Sequence, residues 1–531
     1  MDYKEKKYLR SILFRHLDGI VIVPTIATLA NKGICEYILK NNEFSLEEIN
    51  TYFNTNKGYL NVALRLLASQ GWIDRKFNSD NEQINFLLTS KGHALVQKSH
   101  IYQSFNKYTQ DLIIIDKTIY RNNNSENQSK FINIINELIQ FLEQNNQVNS
   151  TDWELVKHIE GFITGPILVS LKMSHFFNDS TSKSEIIDTD TYKNFPVINN
   201  IIKLFIELNW LNNNKFTNEG LFYLRRASAY GVTVSYLPTF EKLNELLYGD
   251  PNILWERTEQ NHETHVNRTM NVWGSGGAHT IYFKKIDEII IDIFNEDINK
   301  QPIGIADMGC GDGTLLIHLY NVVKSKTIRG QHLDKHPLKI VGADYNKAAL
   351  ISSKINLSNA DINHIVIHGD ISNPSSFADI LEKDYKLDLK NMLNVRSFLD
   401  HNRIYREPLK KDNLTSCNST GAFAYRGSYI PNSMLKQNLI EHFTDWEKYV
   451  KKYGLLILEL HTIAPETISA NLGCTAVTAY DATHGYSDQY IVEVGVLIDA
   501  AKSAGLRTVQ KYQALFPSKE IPNISINLLR S

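Results

Sequence analysis

One stretch constrains this chain more than any other: Gly304-Ile-Ala-Asp-Met-Gly-Cys-Gly-Asp-Gly-Thr-Leu-Leu-Ile-His-Leu319. Ile303, Ile305 and Ala306 predict the end of a buried strand, closed by Asp307. Gly309, Gly311 and Gly313 predict a turn that runs into a helix starting near Thr314. Glycines at this spacing let a ligand lie against bare backbone, and some of these positions require positive φ. A lone glycine-rich turn would say little. Two more apolar strands follow here, each ending in an acid: Lys339-Ile-Val-Gly-Ala-Asp344 and His364-Ile-Val-Ile-His-Gly-Asp370. The acid after the second strand is suited to gripping two ribose hydroxyls. A nicotinamide site shares the glycine turn and the ribose acid. Its spacing, however, is Gly-x-Gly-x-x-Gly, and it gives a third acid nothing to do.

Three consecutive βα units tipped by Asp307, Asp344 and Asp370 resemble the class I S-adenosylmethionine (SAM)-dependent methyltransferases. The resemblance implies an α/β, Rossmann-like, seven-stranded domain with SAM as cofactor. It implies that Asp307, Gly309, Gly311 and Gly313 hold the methionine moiety, that Asp344 holds the ribose, and that Asp370 faces adenine.

With 531 residues the chain is too long for one core, so several domains are expected. A net charge of −2 gives no electrostatic case for nucleic acid or an anionic membrane. Cys35, Cys310, Cys417 and Cys474 show no paired spacing, so neither a disulfide framework nor a thiolate zinc site is expected. No apolar run is expected to reach membrane-spanning length, and the first residues lack the pattern of a signal peptide. The composition predicts a cytoplasmic enzyme.

Upstream of the glycine turn the pattern is mainly helical. Val23 to Gly33 predicts a helix with Pro24 in its first turn. Ser45-Leu-Glu-Glu48 predicts a capping box. Tyr59 to Gln70 predicts a third helix, and Gly71 to Thr89 a hairpin. These elements resemble the winged helix that precedes many small-molecule methyltransferase domains. The pattern then recurs: Asp18-Gly19 and Pro24 are answered by Glu160-Gly161 and Pro166, Trp72 by Trp210, and Thr89 and Gly92 by Thr217 and Gly220. Two winged-helix-like units are therefore predicted. A DNA reader would carry several Lys or Arg on its recognition helix, but Tyr59–Gln70 offers Arg65 alone. Dimerisation, including a homodimer, or a substrate lid suits these units better. The expected layout is a winged-helix-like domain at 1–105 and a helical connector at 106–150, then a second such unit at 151–235. Lid and linker helices follow at 236–300, and the methyltransferase domain occupies 301–531. Within the linker, Asn271 to His279 is glycine-rich, and Gly276 is expected to approach the amino-acid end of the cofactor.

The chemistry of open α/β sheets gathers at the carboxyl ends of the strands. The fourth strand, within Leu387–Leu399, runs into Asp400-His401-Asn402-Arg403, and the fifth ends in Glu459-Leu460-His461. The stretch Ala479 to Tyr490 is expected to return to the same mouth. Asp400, His401, His461, His484 and Gln489 then converge in one pocket. Histidines with Asp and Gln, without Cys, suit iron or manganese, while a metal-free site with a histidine base suits the same residues. Leu399-Asp-His-Asn-Arg403 and Ala479 to Gln489 resemble the mononuclear iron/manganese-dependent C-methyltransferase domains of bacterial polyketide synthase loading modules. That resemblance implies C-methylation of a malonyl-like or 1,3-dicarbonyl acceptor, small or carrier-protein-bound. The expected metal set is His461 and Gln489 with Asp400 or His401, and His484 in reserve. His401 and His461 are the expected catalytic residues. The alternative is metal-independent O- or N-methylation with a His base.

Overall fold

The computed structural model describes all residues except 79–81, 120–125, 146–149, 176–194, 260–261 and 277–278. Contacts divide the chain into two bodies. One comprises Met1–Ala278, Ala424–Tyr429 and Ala464–Ser487. The other comprises His279–Phe423, Ile430–Ile463 and Asp488–Ser531. The stretch expected to run unbroken from 301 to 531 thus lends two segments to the first body.

In the first body, the helix expected at Val23–Gly33 starts much earlier and spans Tyr3–Asn31, so Pro24 lies inside it. Pro24 brings no N–H to the Ile20 carbonyl, and beside it the Thr25 hydroxyl donates to the Val21 carbonyl at 2.8 Å. This helix is long and apolar enough to cross a membrane, contrary to the expectation that no run reaches that length. Of its most apolar window, 94% is nevertheless buried inside the body, as befits a core helix. It crosses the helix Ser150–Met173, which also contains a proline, Pro166.

Strands β1 (Glu43–Ser45), β2 (Ile73–Asn78) and β3 (Gln83–Leu88) form an antiparallel sheet in the order β1-β3-β2. The capping box forms: the Ser45 hydroxyl accepts from Glu48 N at 3.1 Å, and the Glu48 carboxylate accepts from Ser45 N at 2.6 Å. The helix Lys57–Ser69 is buried over nearly its whole length, and its Arg65 pairs with buried Asp481. That side chain is a core ion-pair partner. The second unit has a shorter wing, β4 (Leu211–Asn212) with β5 (Lys215–Phe216). Yet the same bonds are made in both units. Trp72 N donates to Leu67 O at 3.0 Å, and Trp210 N to Phe205 O at 2.7 Å. The Thr89 and Thr217 hydroxyls accept from Gly92 N and Gly220 N, at 2.9 and 3.1 Å. A Cβ on either glycine would strike the carbonyl of the tryptophan in its own unit, at 1.8 or 2.1 Å.

Buried Glu160 gives the first body a pH dependence. Burial would raise its pKa, but Lys157 and His16 outweigh that and bring it from 4.5 down to about 2. A depressed carboxylate stabilises the fold above its unfolded pKa, and the stabilisation is lost as pH falls through the folded value. Glu160→Gln is expected to flatten the acid-side loss of stability between pH 4.5 and about 2. Urea midpoints measured across that range test this, and a slope equal to that of the wild type would contradict it.

The second body holds the main sheet. Strands β6 (Gly304–Met308), β7 (Lys339–Asp344), β8 (His364–His368) and β9 (Leu393–Ser397) are followed by a small hairpin of the first body, β10 (Ala424–Tyr425) with β11 (Ser428–Tyr429). The sheet then continues with β12 (Leu455–Leu460), β13 (Arg507–Thr508), β14 (Ala514–Phe516) and β15 (Ile524–Arg530). Its order is β13-β15-β12-β9-β6-β7-β8, with β14 also paired to β15. The run from β12 to β8 is parallel, and β15 is antiparallel to β12. β12 is buried along its whole length, so its sequence is a continuous apolar run broken only by Glu459. β13 and β14 are short and flank a 3-10 turn. β6 lies between β7 and β9, whose connections leave in opposite directions along the sheet. That is where such sheets open a ligand crevice.

Candidate active site

After β6 the chain turns through Gly309, Gly311 and Gly313 at φ 79°, 55° and 82°. All three lie in the left-handed region that disfavours side chains, as the spacing predicts. Their surroundings differ. A Cβ on Gly309 would lie 2.8 Å from the Leu399 side chain, and one on Gly313 would lie 2.7 Å from the Ser353 hydroxyl. One on Gly311 would meet nothing within 4 Å. Gly311 is therefore the position open to a ligand. Its N–H donates to Asp344 Oδ2 at 3.0 Å, while Asn346 N donates to Oδ1 at 2.8 Å. These bonds fix the carboxylate of β7 beside the turn.

Asp307 is buried, and its Oδ1 has no hydrogen-bond partner. Burial, with nearby Asp344 adding to it, pushes its carboxyl well above the usual range. Two acids beside an open glycine turn suit a cationic ligand, and SAM, with its ammonium and sulfonium, fits on that ground. Asp370 follows β8, where one carboxylate oxygen accepts from Ser372 N at 2.8 Å. Burial pushes the Cys310 thiol up to about 12, which makes it an inert packing residue within the turn.

At the ends of β9 and β12 the structure brings His401 and Glu459 together. His401 Nδ1 donates to Glu459 Oε1 at 2.6 Å. The same carboxylate accepts from Leu460 N at 2.7 Å and from His401 N at 3.3 Å. Both side chains are buried. The Tyr490 N–H donates to the His401 carbonyl at 2.8 Å and so holds the turn from the other side. Phe398, the residue immediately after β9, has φ 52°. Bulky side chains rarely adopt that conformation, which costs strain of a kind that clusters at functional sites.

The other expected residues are committed elsewhere. Asp400 Oδ1 accepts from Arg396 Nη1 at 2.5 Å and from His442 Nε2 at 2.9 Å. Burial would raise its pKa, but Arg396 and His442 prevail and hold it below the usual carboxylate range. Fully buried His461 donates from Nδ1 to the Val492 carbonyl at 2.9 Å, and its Nε2 accepts from the Ser525 hydroxyl at 2.7 Å. Both nitrogens are occupied by protein, which corrects the expectation that His461 is a metal ligand and a catalytic group. Gln489 is buried in the irregular segment before the helix Val494–Ser503. His484 is in the first body, on the helix Val477–Gly485, with Nδ1 on the Tyr480 carbonyl at 2.7 Å. Among the described residues, no three of His, Cys, Asp or Glu are grouped to hold a metal ion. The set His461, Gln489, Asp400 and His401 does not fit iron or manganese, because its best ligand has no nitrogen to give.

Gly276 ends the helix Arg268–Gly276 in the first body, within the stretch where lid and linker helices are expected. The glycine richness there serves packing, since a Cβ on Gly274 would lie 2.6 Å from Val232 N. Glu459, Arg396 and His442 were missed as site residues. The one available signal was a charged residue, Glu459, inside an otherwise apolar strand.

This sheet order and glycine turn, with its attendant acids, define a class I SAM-dependent methyltransferase, and the chain is an enzyme of that class. Its parts match three families in order: residues 9–75 the AprA N-terminal domain, 160–250 the AprA winged helix domain, and 263–527 the AprA MT2-like domain. Among solved structures the chain is similar to an O-methyltransferase family protein from Burkholderia thailandensis. That pair is 10% identical, covers 72% of this chain and 98% of the other, and has a TM-score of 0.42. It is similar to PigF with SAH at 10% identity, 72% and 100% coverage and a TM-score of 0.39. It is similar to the DszA carbon methyltransferase at 12% identity, 67% and 82% coverage and a TM-score of 0.29. No curated protein is a significant match to the chain.

Proposed function

We propose that the protein methylates a malonyl-like or 1,3-dicarbonyl acceptor, small or carrier-bound, in polyketide-type biosynthesis, with His401 as the base. The observation behind this reading is the 2.6 Å bond from His401, just past β9, to Glu459 of β12, with β9 lying between β12 and the cofactor strand β6. When bound, SAM supplies an electrophilic methyl group. His401, with its Nδ1 proton donated to Glu459, takes the acceptor's proton at Nε2. The electron pair left on the acceptor carbon would then displace the methyl from the sulfonium, the broken C–S bond's electron pair leaving with neutral S-adenosylhomocysteine. Glu459 fixes the ring in the tautomer that leaves Nε2 basic, and its charge offsets the imidazolium that results. The burial of both groups keeps water from competing for the methyl.

The carbon acceptor is supported by the likeness of the strand-end motifs to loading-module C-methyltransferases. The base is supported by the buried pairing of His401 Nδ1 with the Glu459 carboxylate. The test is to incubate the enzyme with SAM and malonyl-N-acetylcysteamine, with and without exhaustive chelation, and to analyse the product. Methyl on the α-carbon, formed equally well in both samples, is expected. Activity lost on chelation and restored by iron or manganese would replace the base with a metal. Turnover confined to hydroxyl acceptors would make the enzyme an O-methyltransferase.

A further inference from the structure

The internal repeat extends beyond the stretch that reveals it in the sequence. Arg15-His16-Leu17-Asp18-Gly19 returns as Lys157-His158-Ile159-Glu160-Gly161: a base, a histidine, an aliphatic residue, an acid and a glycine. The two pentads meet where the helices Tyr3–Asn31 and Ser150–Met173 cross. A Cβ on Gly19 would lie 2.2 Å from the His158 carbonyl oxygen, and one on Gly161 would lie 2.2 Å from His16 Cα. Each glycine thus admits the backbone at the other repeat's histidine.

The side chains reciprocate as well. Arg15 pairs with Asp18 at 2.6 Å, and Lys157 with Glu160 at 2.5 Å. His16 Nδ1 bonds the Tyr230 hydroxyl of the second repeat at 2.9 Å, and His158 Nδ1 bonds the Tyr102 hydroxyl of the first at 3.1 Å. Tyr102 and Tyr230 stand equally far beyond the matching glycines Gly92 and Gly220. A contact in which each copy gives the other what it receives is isologous, the form taken by two-fold interfaces between identical chains.

The match is incomplete in one informative way. His16 Nε2 faces Glu160 at 3.0 Å, whereas His158 Nε2 accepts from Arg15, which also bonds Gln70 and Glu154. Two identical chains related by exact symmetry cannot diverge like this; two halves of one chain can.

We propose that the two winged-helix-like repeats form an internal dimer. They occupy, within one chain, the surface through which two copies would pair, and the protein is a monomer. This replaces the homodimer expected from the sequence. The crossing has no room for a second chain, since Arg15, His16, Asp18, His158 and Glu160 are all buried in it.

Light scattering on the full-length protein over a wide concentration range tests the proposal. A constant mass near 60.8 kDa is expected, and twice that mass would overturn it. Gly19→Ala, Gly161→Ala and the double variant test the interface itself by thermal unfolding. Because both glycines serve one crossing, the single variants are expected to lower the midpoint by similar amounts, and the double variant little further. A silent single variant, or fully additive losses, would overturn the proposal. Where a variant does not fold, the mass of the wild type still decides.

Discussion

Gly311→Arg is expected to abolish SAM binding while leaving the fold intact. The reason is local. Gly311 differs from Gly309 and Gly313 in that a Cβ there would meet no protein atom within 4 Å. Arginine at this position therefore projects into the space kept for the ligand rather than into the core. The left-handed φ of 55° adds a modest strain, on the order of 1–2 kcal/mol, which the domain can bear. Calorimetric titration with SAM should show no heat of binding, and far-ultraviolet circular dichroism should match the wild type. Binding within a few-fold of the wild type would remove the turn from the cofactor site.

Glu459→Gln is expected to lower turnover by roughly 10²–10⁴-fold with little change in SAM affinity. The carboxylate accepts from His401 Nδ1, His401 N and Leu460 N, whereas a carboxamide has one acceptor oxygen and an NH₂ that can only donate. Presenting that NH₂ to Nδ1 would stabilise the tautomer with its proton on Nε2, and the ring could then no longer take a proton there. The charge opposite the imidazolium is lost too. Because Glu459 is buried at the end of β12, water cannot substitute. Steady-state kinetics should show the loss in kcat, with the KM for SAM nearly unchanged. A variant that keeps most of its kcat would show that Glu459 only packs.

The backbone of the glycine turn and its flanking strands was largely legible. Gly309, Gly311 and Gly313 announce positive φ, and the acids at Asp307, Asp344 and Asp370 follow three apolar runs that become β6, β7 and β8. Local sequence controls local backbone, so these features could be read directly. The repeat was legible for a similar reason, since tryptophan, threonine and glycine at matched places make the same bonds in each unit.

The side-chain arrangement at the ends of β9 and β12 was not legible, because it depends on long-range partners. No spacing shows that His461 spends both nitrogens on Val492 and Ser525, or that Asp400 faces Arg396 and His442. A histidine at a strand end has the same sequence signature whether it binds a metal, takes a proton or packs. The start of the first helix was misplaced by a real ambiguity, because proline is favoured in first turns and Pro24 occupies a helix interior.

The most direct measurement compares wild type and His401→Ala in two linked steps. Each is titrated with SAM by calorimetry, and each complex is then mixed with malonyl-N-acetylcysteamine to follow a single turnover. A base that touches the acceptor and not the cofactor predicts matching titrations, with transfer slower by at least about 10²-fold in the variant. Equal transfer rates, or loss of SAM binding in His401→Ala, would contradict the assignment of His401 as the base.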